Sequence, residues 1–267
     1  MKLVTVAEMR AIEQQANAGG LSFNQMMSNA GLGLAGIIKN YYSPENEKWV
    51  VGLVGSGNNG GDTLVALSEL AGEGWHACAY LLQARKKGDA LVKSLTVAGG
   101  LVIEMGQDLD FTQLDKWLGN CAVLLDGVLG TGIRLPLKPD AANLLEHVQQ
   151  YRPLPHVVAV DCPSGVDCEN GKAASECIPA ELTVCMAAVK TGLLNFPAFE
   201  FVGDIQVTGI GLDENLSGWK EIKRVVLDDS YVQDALPTRG LNAHKGTFGT
   251  ATIAAGSINY TLSLIHI

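Results

Sequence analysis

Five short apolar runs recur through the first 160 residues: WVVGLV (49–54), HACAYLL (76–82), LVIEM (101–105), CAVLL (121–125) and VVAV (157–160). Stretches with helical spacing of apolar residues separate them, at 62–73, 88–98, 111–118 and 138–150. The runs do not alternate apolar with polar, as strands do when one face meets water; they are apolar throughout, as strands covered on both faces are. This predicts an α/β protein with a doubly wound, mostly parallel sheet and helices on both faces. Residues 5–18 and 23–40 carry apolar positions at helical spacing (Val6, Met9, Ile12; Met26, Ala30, Leu34, Ile38), so two helices precede the first strand, with Ser22 or Asn24 placed to cap the second. Beyond residue 165 the pattern is less regular, with short strands expected at 182–186 and 205–208 around the turn-rich LLNFPAFEFVGD. Residues 225–237 predict a short helix and a connection, and from Pro237 a basic, glycine-containing loop leads into an apolar strand, which reads as the start of a second domain.

At 267 residues with 47% hydrophobic content the chain can bury one large core, or a core plus a smaller unit. A formal charge of −9 argues against a nucleic-acid partner, which takes clustered Lys and Arg; Arg85, Lys86 and Lys87 form a cluster, but one that reads as a solvated loop. The N-terminal MKLVTVAEMRAIEQQA carries acids and lacks the apolar core of a signal peptide, and nothing approaches the ~18 apolar residues of a membrane span. A cytoplasmic protein with no membrane partner is expected. Six cysteines without CxxC pairing read as reduced core thiols rather than zinc ligands or a disulfide frame.

In an open parallel sheet, the turns leaving the carboxyl ends of the strands lie on one edge, so three polar turns distant in sequence are expected to share a site. They are GSGNNGGDT (55–63), DGVLGTGIRLP (126–136) and DCPSGVD (161–167). In the first, Gly55, Gly57 and Gly60 fit the G-x-G-x-x-G spacing of a dinucleotide loop. The acid that such a loop needs about 20 residues on, for a ribose hydroxyl, is missing from GWHACAYLLQARKKG (74–88). Asn58, Asn59 and Asp62 are also richer in polar chemistry than that fingerprint requires, and adjacent carboxamides offer oxygen ligands to a hard cation. Each turn by itself is compatible with ordinary turn chemistry; the three together argue for one pocket.

These segments resemble the YjeF N-terminal-domain family, the NAD(P)H-hydrate epimerases. The matching stretches are VAEMRAIEQQA (6–16), GLSFNQMMSNAG (20–31), GNNGGD (57–62), DGVLGTG (126–132), DCPSGVD (161–167) and AAVKTGLL (187–194), in order over residues 4 to 212. The resemblance implies a Rossmann-like domain that interconverts the R and S epimers of hydrated NADH and NADPH at C6 of the nicotinamide ring. It also implies that Asn58, Asn59, Gly60, Gly61 and Asp62, with Gly130, Thr131, Gly132, Ile133, Arg134, Leu135 and Pro136, surround the hydrate. Asn59, Asp126 and Ser164 would hold a potassium ion, and Asp161 would be the catalytic acid/base and a substrate contact. Lys190 matches a recurring lysine without an assigned role, and the resemblance admits a homo-oligomer. The chemistry agrees: the ring nitrogen expels the C6 hydroxyl once an acid protonates it, and water returns to the opposite face, so one positioned carboxyl group can serve both steps without redox change.

Two departures stand out, Thr63 where the family writes Gly, and Gly127-Val128 after Asp126 where it has bulkier residues. HKGTFGTATIAAGSINYT (244–261) resembles the first strand of a ribokinase-like ADP- or ATP-dependent hydrate dehydratase, and LSLIHI resembles a translated sequencing adapter. The expected organisation is an epimerase domain over 1–236, the start of a dehydratase domain over 237–261 and a non-native tail over 262–267. Two other readings are a non-catalytic scaffold module of the same fold and an NAD(P)-dependent oxidoreductase. The combination of Asn59, Asp126, Asp161 and Ser164 speaks against the first, and the missing ribose acid against the second.

Overall fold

The computed structural model describes residues 1–42, 48–244 and 246–250. They form two compact units, Met1–Val226 and a second from Leu227 onward. In the first, the elements run β1 (Leu3–Val4), α1 (Val6–Ala18), α2 (Phe23–Tyr41), β2 (Trp49–Val54), α3 (Asn58–Gly72), β3 (His76–Leu81), α4 (Ala90–Val97), β4 (Leu101–Glu104), α5 (Thr112–Leu118), β5 (Val123–Gly127), α6 (Pro139–Gln150), β6 (His156–Val160), β7 (Leu182–Met186), β8 (Val189–Lys190), β9 (Asp204–Thr208) and α7 (Ser217–Glu221). The second unit contains α8 (Asp229–Ala235), whose first turn is capped by the Asp228 carboxylate accepting from Tyr231 N at 2.9 Å. The apolar strand expected past residue 250 and the tail at 262–267 lie outside the described residues.

Seven strands form one sheet in the order β4-β3-β2-β5-β6-β7-β9, every pair parallel. From β2 the chain builds outward through β3 and β4, then returns to place β5 on the other side of β2. That reversal is the position where loops from neighbouring strand ends diverge and leave a crevice. Strand residues alternate between two cores. Val50, Leu125 and Val158 pack with Leu34 and Ile38 of α2 and Leu64 and Leu67 of α3. Val51 and Leu124 pack on the opposite face with Leu114 and Leu118 of α5 and Leu144 and Leu145 of α6. Burial on both faces explains why the strands are apolar throughout. All six cysteines are buried and unbridged.

Three details of the expectation change. Helix α3 starts at Asn58 rather than 62, because Gly57 takes the extended N-cap position, so NNGGD is the first turn and a half of a helix and not a loop. Strand β5 runs Val123–Gly127 rather than 121–125, which places Asp126 within the ladder, level with Leu53 of β2 and Ala159 of β6. A second sheet joins β1 to β8 with Leu3 beside Val189 and Val4 beside Lys190; two-residue strands carry no periodicity that a sequence shows. Both N-terminal helices open with capping boxes, Thr5 with Glu8 and Ser22 with Gln25. No helix among the described residues is long and apolar enough to cross a membrane.

Candidate functional site

The carboxyl ends of β2, β5 and β6 meet at a cavity of about 490 Å³. Its walls come from the β2–α3 junction (Ser56, Gly57, Asn58, Asn59, Asp62), the segment after β5 (Val128 to Ile133), Asp161 at the end of β6, Met186 and Lys190. The turn after β2 folds so tightly that a Cβ on Gly55 would lie 1.9 Å from the Val128 oxygen, and one on Gly60 2.0 Å from the Gly55 oxygen. Those two glycines therefore let the loops close on each other. No side chain caps α3, which leaves its first N–H groups without a side-chain partner at a helix start that lines the cavity.

Asp161 is held with unusual care. It has φ = +64°, a left-handed conformation rare for a residue with a side chain. Its Oδ1 accepts from Met186 N at 2.8 Å and from the Lys190 ammonium, while Oδ2 has no hydrogen bond among the described residues. The Lys190 side chain is only 2% exposed and also donates to the Met186 oxygen at 3.0 Å. Burial opposes the charge on Lys190, but the adjacent Asp161 carboxylate prevails and raises its pKa above the ordinary lysine value. The lysine thus has a definite place, as the partner that orients Asp161.

Asn59, Asp126 and Ser164 come together behind the cavity through Leu129. Ser164 N donates to Asp126 Oδ2 at 2.7 Å, Leu129 N donates to Ser164 Oγ at 2.9 Å, and Asn59 Nδ2 donates to the Leu129 oxygen at 2.8 Å. Asp126 is fully buried and its Oδ1 has no hydrogen-bond partner among the described residues. Burial raises its pKa, opposed by the hydrogen bonds from Ser164. An orphaned carboxylate oxygen in such a place calls for an explanation, and a bound cation is one.

Of the other residues singled out from the sequence, Asn58, Asp62, Gly130, Thr131, Gly132 and Ile133 line the cavity. Gly60 and Gly61 pack against Gly55 and Met27, and Arg134, Leu135 and Pro136 lie beyond the lining. The two departures at 63 and 127 fit each other. Thr63 is fully buried, donates from Oγ1 to the Asn59 oxygen at 2.8 Å, and occupies the place where a Cβ on Gly127 would lie, 1.9 Å from that same Oγ1.

Helix α1 supplies what the sequence did not announce. Val6, Met9, Arg10 and Glu13 form one face of it and line the cavity, with Arg10 reaching towards Gly132. The available signal was two charged residues within a buried apolar stripe. Glu13 has a raised pKa, first through burial, against the lowering pull of Lys190. His147 and His156, by contrast, pair with Asp115 and Glu181 away from this site.

The YjeF-related protein N-terminus family matches residues 24–192. The chain is 29% identical over 272 residues to the bifunctional NAD(P)H-hydrate repair enzyme Nnr of Moorella thermoacetica, covering 98% of this chain and 50% of that protein. It is 29% identical over 247 residues to the enzyme of the same name from Escherichia coli K12, covering 92% and 46%. The chain thus spans about half the length of the curated relatives it matches. A yeast protein of known crystal structure, ynu0, superposes with a TM-score of 0.64 at 20% identity, covering 78% of this chain and 87% of that one, which shows the shared fold. With a family match over most of the α/β unit and the loops of that match gathered at one cavity, the chain belongs to the family of YjeF-related protein N-termini.

Proposed function

We propose that this chain is an NAD(P)H-hydrate epimerase, interconverting the R and S epimers at C6 of the hydrated nicotinamide ring. The observation that carries the reading is Asp161, a carboxylate at the cavity wall held by Met186 N–H and the buried Lys190 on one oxygen, with no hydrogen bond to its other oxygen among the described residues. Epimerisation at C6 requires proton exchange with the C6 oxygen and no hydride acceptor, and a positioned carboxyl group supplies it. A scaffold module has no use for a buried ion pair opening on a cavity. The nucleotide's diphosphate is accommodated by Arg10 and the uncapped start of α3, where N–H groups favour anions.

A potassium ion fits the cluster behind the cavity. Asp126 Oδ1 is buried and has no partner among the described residues, the Asn59 carboxamide oxygen remains after its Nδ2 has bonded Leu129, and Ser164 adds a hydroxyl, giving an all-oxygen set suited to a hard cation. When bound, the ion would neutralise Asp126 and fix the β5 loop against α3. Among the described residues there is no group of three or more His, Cys, Asp or Glu that a transition metal would favour.

The test supplies purified R-hydrate of NADH to an S-specific dehydratase, with and without this protein. Faster return of NADH with the protein supports the reading; an unchanged rate refutes it.

A further inference from the structure

Asp62 is the buried carboxyl group whose place in the site remains unexplained. It sits on the second turn of α3, is 8% exposed and lines the main cavity. It also lines a smaller cavity of about 140 Å³, and Glu13, Asn58 and Met186 share both walls with it. Its carboxyl accepts no hydrogen bond and joins no ion pair among the described residues, whereas Asp161 in the same cavity accepts two charged or polar donors on one oxygen. An ionised carboxylate can only accept, and a buried one without donors is costly; the neutral acid has an O–H to give. The charged groups acting on Asp62 are Asp161, Lys190 and Glu13, with Arg10 acting in turn on Glu13, and all line the same cavity. Burial, then Asp161 and Glu13, push its pKa well above the usual carboxylate value, and Lys190 alone opposes them.

We propose that Asp62 is a second catalytic carboxyl group, which for one epimer protonates the departing C6 hydroxyl while Asp161 takes a proton from the returning water, the two exchanging roles for the opposite epimer; this rests on the epimerase reading. In the first step the O–H of Asp62 transfers its proton to the C6 oxygen, the C6–O bond breaks with its electron pair going to the departing water, and the ring-nitrogen lone pair forms an N=C6 double bond. In the second, a water oxygen bonds C6 from the opposite face, the double-bond pair returns to nitrogen, and the water's proton goes to Asp161 Oδ2. The proton then returns through solvent from Asp161 to Asp62, so atoms and charge balance over the cycle. Two carboxyl groups in one cavity, one with donors and one without, divide the acid and base roles as paired catalytic carboxyls do elsewhere. The smaller cavity beside Asp62 has room for a few waters, at about 30 Å³ each.

The experiment follows interconversion of separated R- and S-hydrates by chromatography across pH, with the whole chain as wild type, Asp62→Asn and Asp161→Asn, alongside carboxyl ¹³C NMR of the wild type. The expected result is a wild-type kcat that falls on the alkaline side, a kcat roughly 100-fold lower in Asp62→Asn with KM within about twofold, and loss of the alkaline fall in that variant. The NMR arm needs no variant to fold, and should show Asp62 protonated at neutral pH. An Asp62→Asn enzyme with wild-type kcat, or one that keeps the alkaline fall, overturns the proposal, as does an Asp62 ionised at neutral pH. A wild type that does not epimerise overturns the functional reading itself; an active wild type with a fully active Asp62→Asn overturns this proposal alone.

Discussion

Replacing Gly127 by alanine tests whether residues 63 and 127 are one packing unit. The added Cβ would lie 1.9 Å from Thr63 Oγ1, 3.0 Å from Thr63 Cβ and 3.2 Å from the Leu53 oxygen. Nothing about the backbone at 127 forbids alanine, since its φ is not positive; the obstacle is space alone. Thr63 cannot rotate away cheaply, because its Oγ1 is bonded to the Asn59 oxygen and a Cβ at Gly52 would come within 2.7 Å of its Cγ2, so the methyl is seated against β2. Overpacking of this kind costs about 1–3 kcal/mol, and we expect about 2 for Gly127→Ala. Thr63→Ala alone removes a buried methyl and a hydrogen bond and should cost about 1–2 kcal/mol. In the double variant the alanine methyl enters the space that Oγ1 vacates, so the two costs overlap and the coupling should reach 1 kcal/mol or more in its favour. Urea unfolding of the four proteins, by tryptophan fluorescence, measures the cycle. Free energies that add to within about 0.5 kcal/mol would refute the pairing.

Other outcomes follow from the same geometry. Asp161→Asn leaves the buried Lys190 ammonium without its carboxylate, so it should lose stability in urea unfolding as well as lower kcat by about 10²–10⁴-fold, measured by chromatography of the epimers. Lys190→Met leaves Asp161 facing a low-polarity wall without its cation and should cost about 3–5 kcal/mol in urea unfolding, together with most activity. For Asp62 the folded pKa lies above the unfolded value of 3.8, so the folded state binds the extra proton and stability falls as pH rises through and beyond that value. Asp62→Asn should therefore melt higher than wild type at neutral pH, with the advantage disappearing below the ordinary carboxylate range, as differential scanning fluorimetry across pH would show. Potassium at 100 times its Kd should stabilise the protein by about 2.7 kcal/mol, and Asp126→Asn should remove the effect; equal melting curves in potassium and in a bulky organic cation would contradict the site.

The strands, the layer order and the three polar turns are legible in the sequence because each is a continuous segment with its own pattern. The parallel sheet then determines that turns from β2, β5 and β6 share an edge, and so Asn58, Asn59, Asp126 and Asp161 meet although they span a hundred residues. The start of α3 is harder, because NNGGD has loop-like composition and only the extended Gly57 makes it a helical turn. Arg10 and Glu13 are illegible for a different reason. They reach the site because Val4 pairs with Lys190, which lays the start of α1 beside the Asp161 partner. That pairing is two residues long on each side, and no periodicity marks it. The fit of Thr63 to Gly127 is a contact between a helix and a strand end, so each residue alone looks like a departure and only together do they look like an exchange of volume.

Epimerisation at C6 is tested most directly by mixing the protein with the purified S-hydrate of NADH and following appearance of the R-hydrate by chromatography in the absence of any dehydratase. An epimerase should bring the sample to the equilibrium mixture at least about 100-fold faster than buffer does, with no change in nicotinamide redox state. Relaxation at the buffer rate in the presence of a folded wild-type protein would contradict the epimerase reading.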